Sequence, residues 1–296
     1  MRHRNLSWYI GNFAIYAFLF MVFITTFLPF WNIAVLSFNE ASDTRLGGFI
    51  LLPRAFTTSS YSAVLSDPEI FNAAGVTILR TLIGVPLTVI VTTMMAYALS
   101  KRTLPGRRII SLFFVFSMYF SGGLIPSYMV IRSLGLIDRF WVFIFPGMAN
   151  VFWMILVRTY MEGIPAEMEE SAKIDGANDF IILIRITIPL CIPVLATITL
   201  FAAINHWNAW YDSYIYTYKA SLKTLQAVLV KILNQYQTGD MLSAAQQMAN
   251  EAKKLPVSSE TIRMTVTMVA TIPIILVYPF LQKYFIKGVM IGAVKS

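Results

Sequence analysis

The residues best suited to specific chemistry lie in one charged interval, 164–189 (the charged loop), between two apolar stretches. Pro165 suits the first turn of a helix, and the carboxylates of Glu167, Glu169 and Glu170 favour that turn through the helix dipole. Glu170 is expected near the exposed face of the loop, where it can pair with a basic group. The chemistry predicted for this interval is therefore recognition of another surface.

One face of this predicted helix carries small side chains. Met168, Ser171, Ala172 and Asp175 follow one another at steps of three and four, which brings them to the same face. Because Ser171 and Ala172 are short, another surface could approach the backbone closely there. The pattern predicts a contact surface for a partner.

The charged loop also contains a turn. Gly176 permits a sharp bend between two short helices. Asn178 and Asp179 can cap the second helix, which becomes apolar and is expected to enter a membrane at Pro189.

Motifs for catalysis are absent from the sequence. It contains no Gly-x-x-x-x-Gly-Lys-Ser/Thr loop, no Ser/His/Asp arrangement, no His-Glu-x-x-His and no Gly-x-Ser-x-Gly. With 2 histidines and 1 cysteine, neither a His-based metal site nor an internal disulfide is expected. Cys191 lies in an apolar stretch and is predicted to be a small core residue. The sequence therefore predicts a non-catalytic protein without a bound cofactor.

Composition points to a membrane protein. The 296 residues are 57% hydrophobic and 13% charged, whereas soluble domains are about one quarter charged. The net charge of +8 is better explained by cytoplasmic Lys and Arg than by nucleic-acid binding. The apolar run that follows Arg2 and Arg4 is too long for a signal peptide and predicts a retained first helix.

Apolar stretches long enough to cross a bilayer, about 20 residues each, define the predicted fold. It is an all-α membrane protein with six transmembrane helices in a single domain, 1–296, with the charged loop between spans four and five. The predicted spans are 13–37, 73–99, 109–131, 140–161, 186–210 and 264–285.

Basic residues predict the orientation of these spans. Lys and Arg concentrate on the side that holds both termini, and such residues favour the cytoplasm. Both termini and the charged loop are therefore predicted to be cytoplasmic. The basic residues on that side are Arg2, Arg4, Lys101, Arg102, Arg107, Arg108, Lys283, Lys287 and Lys295.

The long segment 212–263 is then external. Two helical stripes of apolar residues are predicted in it, separated by Gly239. The first stripe is Leu222, Leu225, Leu229, Ile232 and Tyr236, and the second is Leu242, Ala245, Met248, Ala252 and Leu255.

The charged loop resembles the cytoplasmic loop of the inner-membrane permeases of ATP-binding-cassette (ABC) importers. The resemblance rests on Glu170-Ser171-Ala172, on Gly176 and on Pro189 at their spacing. The family usually has Ala in place of Ser171 and Leu in place of Ile188. Asp175-Gly176-Ala177 is similar to the form typical of sugar importers, and the span layout is similar to the maltose-type permeases.

This resemblance implies a permease subunit that forms half of a pathway for carbohydrate, in particular oligosaccharide. The implied partners are a second permease subunit, two copies of a cytoplasmic ATPase that bind ATP-Mg, an extracytoplasmic solute-binding protein and the lipid bilayer. The implied location is the cell membrane of a bacterium or archaeon. The residues implied to couple to the ATPase are Glu167, Glu170, Ser171, Ala172, Asp175, Gly176, Ala177 and Pro189.

Aromatic residues at the end of span five form a second candidate site. Trp207, Trp210, Tyr211, Tyr214 and Tyr218 are predicted to share one helical face. An interfacial aromatic belt is one interpretation. The other is a platform that lines a sugar path by stacking, and the candidate path residues are then Asn205, Trp207, Trp210, Tyr211 and Tyr214.

Arg80 is the charged residue within span two, and Asn150 and Trp153 are polar groups within span four. Arg80 is predicted to extend to the outer surface in preference to facing the interior. Asn150 and Trp153 fit helix packing or a path lining equally well. The alternative, a secondary transporter or half of one without an ATPase, would need coupling charges in the spans, which hold almost none apart from Arg80. An intramembrane enzyme would need a catalytic pair within the spans, and none is visible.

Overall fold

The computed structural model describes residues 6–44, 46–242 and 258–293. Within these ranges the regular structure is helical, and the one β-type contact is an isolated bridge between Asn39 and Phe56. The prediction of an all-α fold is confirmed for the described residues. The α-helices are α1 Leu6–Ser37, α2 Ala41–Thr44, α3 Ser59–Leu65, α4 Pro68–Ser100, α5 Arg107–Tyr119, α6 Leu124–Ser133, α7 Val151–Met161, α8 Ala166–Ile174, α9 Asp179–Ile182, α10 Ile188–Leu190, α11 Ile192–Asn208, α12 Tyr211–Tyr216, α13 Leu225–Leu242 and α14 Ser259–Ala293.

The chain forms two compact units. The first comprises 1–68 and 231–272, and the second comprises 69–230 and 273–296. In the first unit, Phe38 stacks on Phe56 and on Tyr61, at ring distances of 5.7 and 4.5 Å. The segment after α1 is thereby folded back onto α3.

Among the described residues, two helices are each long and apolar enough to cross a membrane, α1 from Tyr9 onward and α4. Three bent helix pairs also qualify if each pair is one span, which raises the number to five by length and composition. The sixth predicted span, 264–285, lies within α14, but the side chains of 280–293 fall outside the described set. The six-span count therefore stays a prediction.

The predicted spans three, four and five are each divided. Span three bends by 118° between α5 and α6, where Gly123 has φ +82°. Span four begins as two 3-10 turns, Phe140–Phe143 and Phe145–Gly147, and bends by 47° into α7. Glycine and short helical turns interrupt the regular hydrogen-bond ladder at these points, which periodicity in the sequence does not indicate.

Span five was predicted as one helix over 186–210, and the prediction of an uninterrupted helix was wrong. A π-helical turn, Leu183–Thr187, precedes α10, and an 83° bend at Cys191 separates α10 from α11. Pro189 and Pro193 lack the amide hydrogen that a continuous helix needs. At the other end, Ala209 adopts extended backbone angles and terminates α11.

The core of the second unit joins α4, α7 and α11. Cys191 is fully buried there, which confirms its predicted place in the core. The other buried members are Ala96, Tyr97, Leu99, Met154, Val157, Met161, Leu183 and Ile198. This cluster connects the charged loop to the helices on either side of it.

The predicted external segment differs from the structure in two respects, the place of Gly239 and that of Leu222. Gly239 does not separate two helices, because α13 runs through it to Leu242; a glycine inside a helix costs only about 1 kcal/mol. Leu225 and Leu229 of the first stripe are buried, as its periodicity indicated. Leu222 precedes the helix, in a 3-10 turn. The second stripe lies almost entirely in 243–257, outside the described residues.

Candidate functional site

The first helix of the charged loop, α8, has no buried residue. Glu167, Glu170 and Ser171 are exposed, while Ala172 is partly covered. Two apolar side chains are exposed as well, Met168 at 41% and Ile174 at 86%. A helix that leaves both carboxylates and large apolar side chains uncovered has the composition of a contact surface.

Gly176 ends α8 in the conformation that the sequence predicted. Its φ is +82°, and a Cβ placed on it would meet nothing within 4 Å. The amide of Gly176 donates to the carbonyl of Lys173 at 3.0 Å, and that of Ala177 to the carbonyl of Ala172 at 2.9 Å. This is the Schellman pattern of a helix C-terminus, which requires a left-handed residue. Backbone conformation, rather than crowding within this chain, makes glycine the suitable residue.

Asn178 caps α9, since its side-chain oxygen accepts a hydrogen bond from the amide of Ile181 at 2.9 Å. Asp179 is the first residue of α9, and it lies 3.7 Å from the ammonium of Lys173. Both charges are more than half exposed, so this pair adds little stability. Asp175 and Pro189 are exposed. The geometry of the loop therefore comes from its backbone turns.

Residues at the end of α4 contact both helices of the charged loop, α8 and α9. Lys101 forms an ion pair with Glu169 of α8, and its ammonium lies 4.0 Å from the centre of the Tyr97 ring. The Tyr97 hydroxyl donates to the carbonyl of Asp179 at 3.0 Å. From the sequence, Lys101 was interpreted as a determinant of topology or a contact for lipid phosphate, and its partner Glu169 was missed because the two residues are distant in the chain.

A second set of ion pairs surrounds Glu162, at the end of α7. Arg107 of α5 pairs with this carboxylate, and Arg158 lies 3.4 Å from it. Arg158 also donates to the Ser111 hydroxyl at 3.0 Å. These contacts tie the start of α5 to the helix that leads into the charged loop.

The structure corrects the prediction for Arg80. Arg80 is only 3% exposed, so its side chain faces the protein interior and not the outer surface. Its guanidinium forms a two-pronged contact with the carboxylate of Asp212, one bond measuring 2.9 Å, and donates to Nδ1 of His206 at 3.3 Å. It also lies 5.0 Å from the centre of the Phe143 ring. We call these four residues the Arg80 cluster.

His206 packs against three residues of α4 that lie one turn apart, Arg80, Gly84 and Thr88. Arg80 and Thr88 contact its two ring nitrogens, with Thr88 Oγ1 3.4 Å from Nε2. Gly84 lies between them, and a Cβ there would stand 2.5 Å from the imidazole ring. The absence of a side chain at Gly84 is what lets the ring approach α4.

The Arg80 cluster forms part of the wall of a cavity of about 740 Å³. Three of the predicted path residues line it, Asn205, Trp210 and Tyr211, whereas Trp207 and Tyr214 do not. The five aromatic residues do not share one helical face as predicted, because α11 ends at Asn208 and a second helix begins at Tyr211. The remaining polar and aromatic lining includes Ser127, Thr88, Asn150, Trp153, Asn208 and Tyr216.

The turn that contains Asp138, just before span four, forms hydrogen bonds with the segment that follows α12. Asp138 has φ 55°, and its Oδ1 accepts hydrogen bonds from the amides of Tyr218 at 2.6 Å and Lys219 at 3.1 Å. Its own amide donates to the carbonyl of Tyr216 at 3.0 Å. The bond from the Tyr218 amide, helped by that from Lys219, lowers the pKa of the Asp138 carboxyl.

This arrangement of bent spans and an exposed loop is that of a transport protein's membrane subunit. The model of the family described as binding-protein-dependent transport system inner membrane component matches residues 59–291. The chain belongs to that family, whose members are non-catalytic membrane subunits of ABC transporters. Among the described residues no group of three or more metal-binding side chains occurs.

Relatives of known assignment agree with the family. The chain is 38% identical to the polygalacturonan/rhamnogalacturonan transport system permease protein YtcP of Bacillus subtilis, over 95% of this chain and 97% of the relative. It is also 38% identical to protein LplC of the same organism, over 92% and 90%. A bacterial ABC transporter involved in the import of the acidic polysaccharide alginate contains a chain with 32% identity and a TM-score of 0.85, over 96% of this chain and all of that one. The chain is therefore a permease subunit of an ABC importer.

Proposed function

We propose that this permease forms half of a membrane pathway for oligosaccharides. The observation that carries this proposal is the cavity in the second unit, lined by aromatic rings and side-chain amides. Aromatic faces suit the apolar faces of sugar rings, and amides suit hydroxyl groups. Two of the similar proteins are described as transporting polysaccharides. A second permease subunit supplies the other half of the pathway, and a solute-binding protein delivers the sugar.

Coupling to ATP is assigned to the charged loop. In this proposal α8 lies in a cleft of one of two cytoplasmic ATPase subunits, which hold the ATP and Mg²⁺. The exposure of α8, its carboxylates and its uncovered Met168 and Ile174 support this role. The Lys101–Glu169 pair and the contacts of Glu162 would carry a movement of α8 into α4, α5 and α7. Rigid-body motion of these helices then alternates access to the cavity.

The proposed topology has six spans with both termini in the cytoplasm. The ion pair between Lys101 and Glu169 supports it, because the basic loop after α4 and the charged loop must then lie on the same side of the membrane. A concentration of Lys and Arg in a short loop favours the cytoplasmic side. Apart from Arg80, and Arg158 at the end of α7 where it pairs with Glu162, the predicted spans hold few charged residues, which fits an ATP-driven system better than a secondary transporter.

Transport by the reconstituted complex tests the function. The chain, its partner permease, the ATPase and the binding protein would be placed in proteoliposomes with labelled oligosaccharide outside and ATP inside. We expect uptake that requires all four components. Uptake that persists without the ATPase would contradict the proposal.

Cysteine labelling tests the topology. In a Cys191→Ser background, a membrane-impermeant reagent applied outside the cell should spare Lys173→Cys and modify Asp240→Cys. Modification of position 173 in intact cells would contradict the cytoplasmic placement of the charged loop.

A further inference from the structure

If the Arg80 cluster served only to hold helices together, its buried charges would be an energetically unfavourable way to do so. A charge buried among apolar helices costs free energy unless it is paired, and well-packed apolar residues can replace such a pair without loss of stability. Arg80 and Asp212 are 132 residues apart in the chain, and both line the cavity. Their position at its wall allows a role in ligand binding that a contact within the core would not have.

The two partners are not equally dependent on each other. The Arg80 side chain is 4% exposed, whereas that of Asp212 is 22% exposed. Asp212 also accepts a hydrogen bond from the amide of Ser213 at 2.8 Å, so it keeps a donor and water if it leaves Arg80. Arg80 would retain only the His206 nitrogen and the Phe143 ring. Whatever replaces Asp212 must therefore be another anion that fits the guanidinium fork.

We propose that Arg80 binds the carboxylate of a uronic-acid unit of the transported oligosaccharide, and that Asp212 occupies the same fork when the cavity is empty. This inference rests on the proposed function. A sugar carboxylate has the planar two-oxygen geometry that arginine holds with two parallel hydrogen bonds. Neutral sugars have no group that can compete with Asp212 for this position.

The surroundings of the fork suit the rest of such a sugar. Trp210 and Tyr211 precede Asp212 directly and line the same cavity, with Asn205 and Asn208 on α11. The helix break at Ala209 lies between these amides and Asp212. A movement at that break could withdraw Asp212 from Arg80 while the amides stay with α11. Two similar proteins are described as importing polygalacturonan and alginate, whose units carry carboxylates.

The test compares one sugar in two charge states. Trigalacturonate and its fully methyl-esterified form have the same rings, and only the first carries carboxylates. Binding of each would be measured on the purified complete complex without binding protein, and uptake in proteoliposomes with it. The variant Arg80→Gln/Asp212→Asn removes both charges together, so neither is left buried without a partner. Arg132→Gln, an exposed arginine outside the cavity, is the matched control.

We expect the double variant to bind trigalacturonate about 10-fold or more weakly, the effect of losing charged hydrogen bonds, with the methyl ester nearly unchanged. Asp212→Asn alone should strengthen trigalacturonate binding, because it removes the competing carboxylate. Equal changes for the two sugars, or none for either, would overturn the assignment of Arg80 while leaving the transport function standing. Failure of the wild-type complex to take up any oligosaccharide would instead contradict the proposed function. If the double variant does not assemble, Arg80→Lys gives the same comparison, with a smaller selective loss expected.

Discussion

The charged loop and the Arg80 cluster are both polar sites in an apolar chain, but they are built in opposite ways. The loop obtains its shape from residues close together in sequence, through the Schellman turn at Gly176 and the Asn178 cap, and leaves its charges exposed. The cluster joins residues 132 positions apart and buries its charge. The loop can therefore bind the surface of another subunit without rearranging its own contacts, whereas the buried guanidinium of Arg80 needs an anion beside it at every stage, either Asp212 or the proposed ligand carboxylate.

The largest effect should come from Asp212→Ala, which leaves the guanidinium of Arg80 buried without a carboxylate. Breaking a buried ion pair from one side costs about 3–5 kcal/mol, so the purified complex should lose thermal stability markedly. The neutral pair Arg80→Gln/Asp212→Asn should recover most of the loss. Equal destabilisation by the single and double variants would show that the charge itself is unimportant.

Gly176→Val tests the charged loop, where a substitution strains the local backbone and leaves the buried core unchanged. A left-handed backbone costs a non-glycine residue roughly 1–2 kcal/mol, and the added side chain would meet the ATPase surface. We expect sugar uptake to be abolished while membrane insertion and pairing with the second permease continue. Gly135→Val is the matched control, since Gly135 also has a positive φ, +66°, and open space around it. Normal uptake with Gly176→Val would remove the main support for the coupling role.

Two charge variants distinguish binding of the ATPase by the charged loop from transfer of the loop's movement to the rest of the permease. Glu170→Lys should weaken co-purification of the ATPase several-fold, by about 1 kcal/mol, since the residue is exposed and the interaction is partly screened. Lys101→Met should leave that association intact but reduce sugar transported per ATP hydrolysed, because it breaks the Lys101–Glu169 link. The same phenotype from both variants would contradict this division of roles.

The smallest effect is expected at Asp138. Its folded-state pKa lies below the ordinary value of 3.8 because the Tyr218 and Lys219 amides favour the carboxylate. The stabilisation is therefore fully present above the ordinary pKa and is lost as pH falls through the lowered one. The difference in thermal stability between wild type and Asp138→Ala should shrink in that acidic range. A gap that stays constant with pH would show that the charge is not involved. The difference in stability between Asp138→Asn, which keeps an oxygen acceptor, and Asp138→Ala should not change over the same range.

Local features were predictable from sequence, and long-range ones were not. Gly176 and Asn178 act on backbone groups within a few residues, so their types and spacing were enough. Arg80 was expected at the surface because nothing in the sequence near it indicates Asp212 or His206. The breaks at Cys191 and Ala209 were missed since their neighbours continue the apolar or aromatic pattern. Prolines in apolar stretches are tolerated in membrane helices, so they gave no clear boundary.

Gly84 has a consequence for which parts of the transporter can move. The His206 ring occupies the space that a side chain at position 84 would fill, so sliding α11 along α4 would press the imidazole against Arg80 or Thr88, which lie one turn away on the same face. This close approach opposes a change of register between the two helices at His206. Angular change during a transport cycle must then be concentrated at the interruptions at either end of α11, Cys191 and Ala209, where no continuous hydrogen-bond ladder resists it.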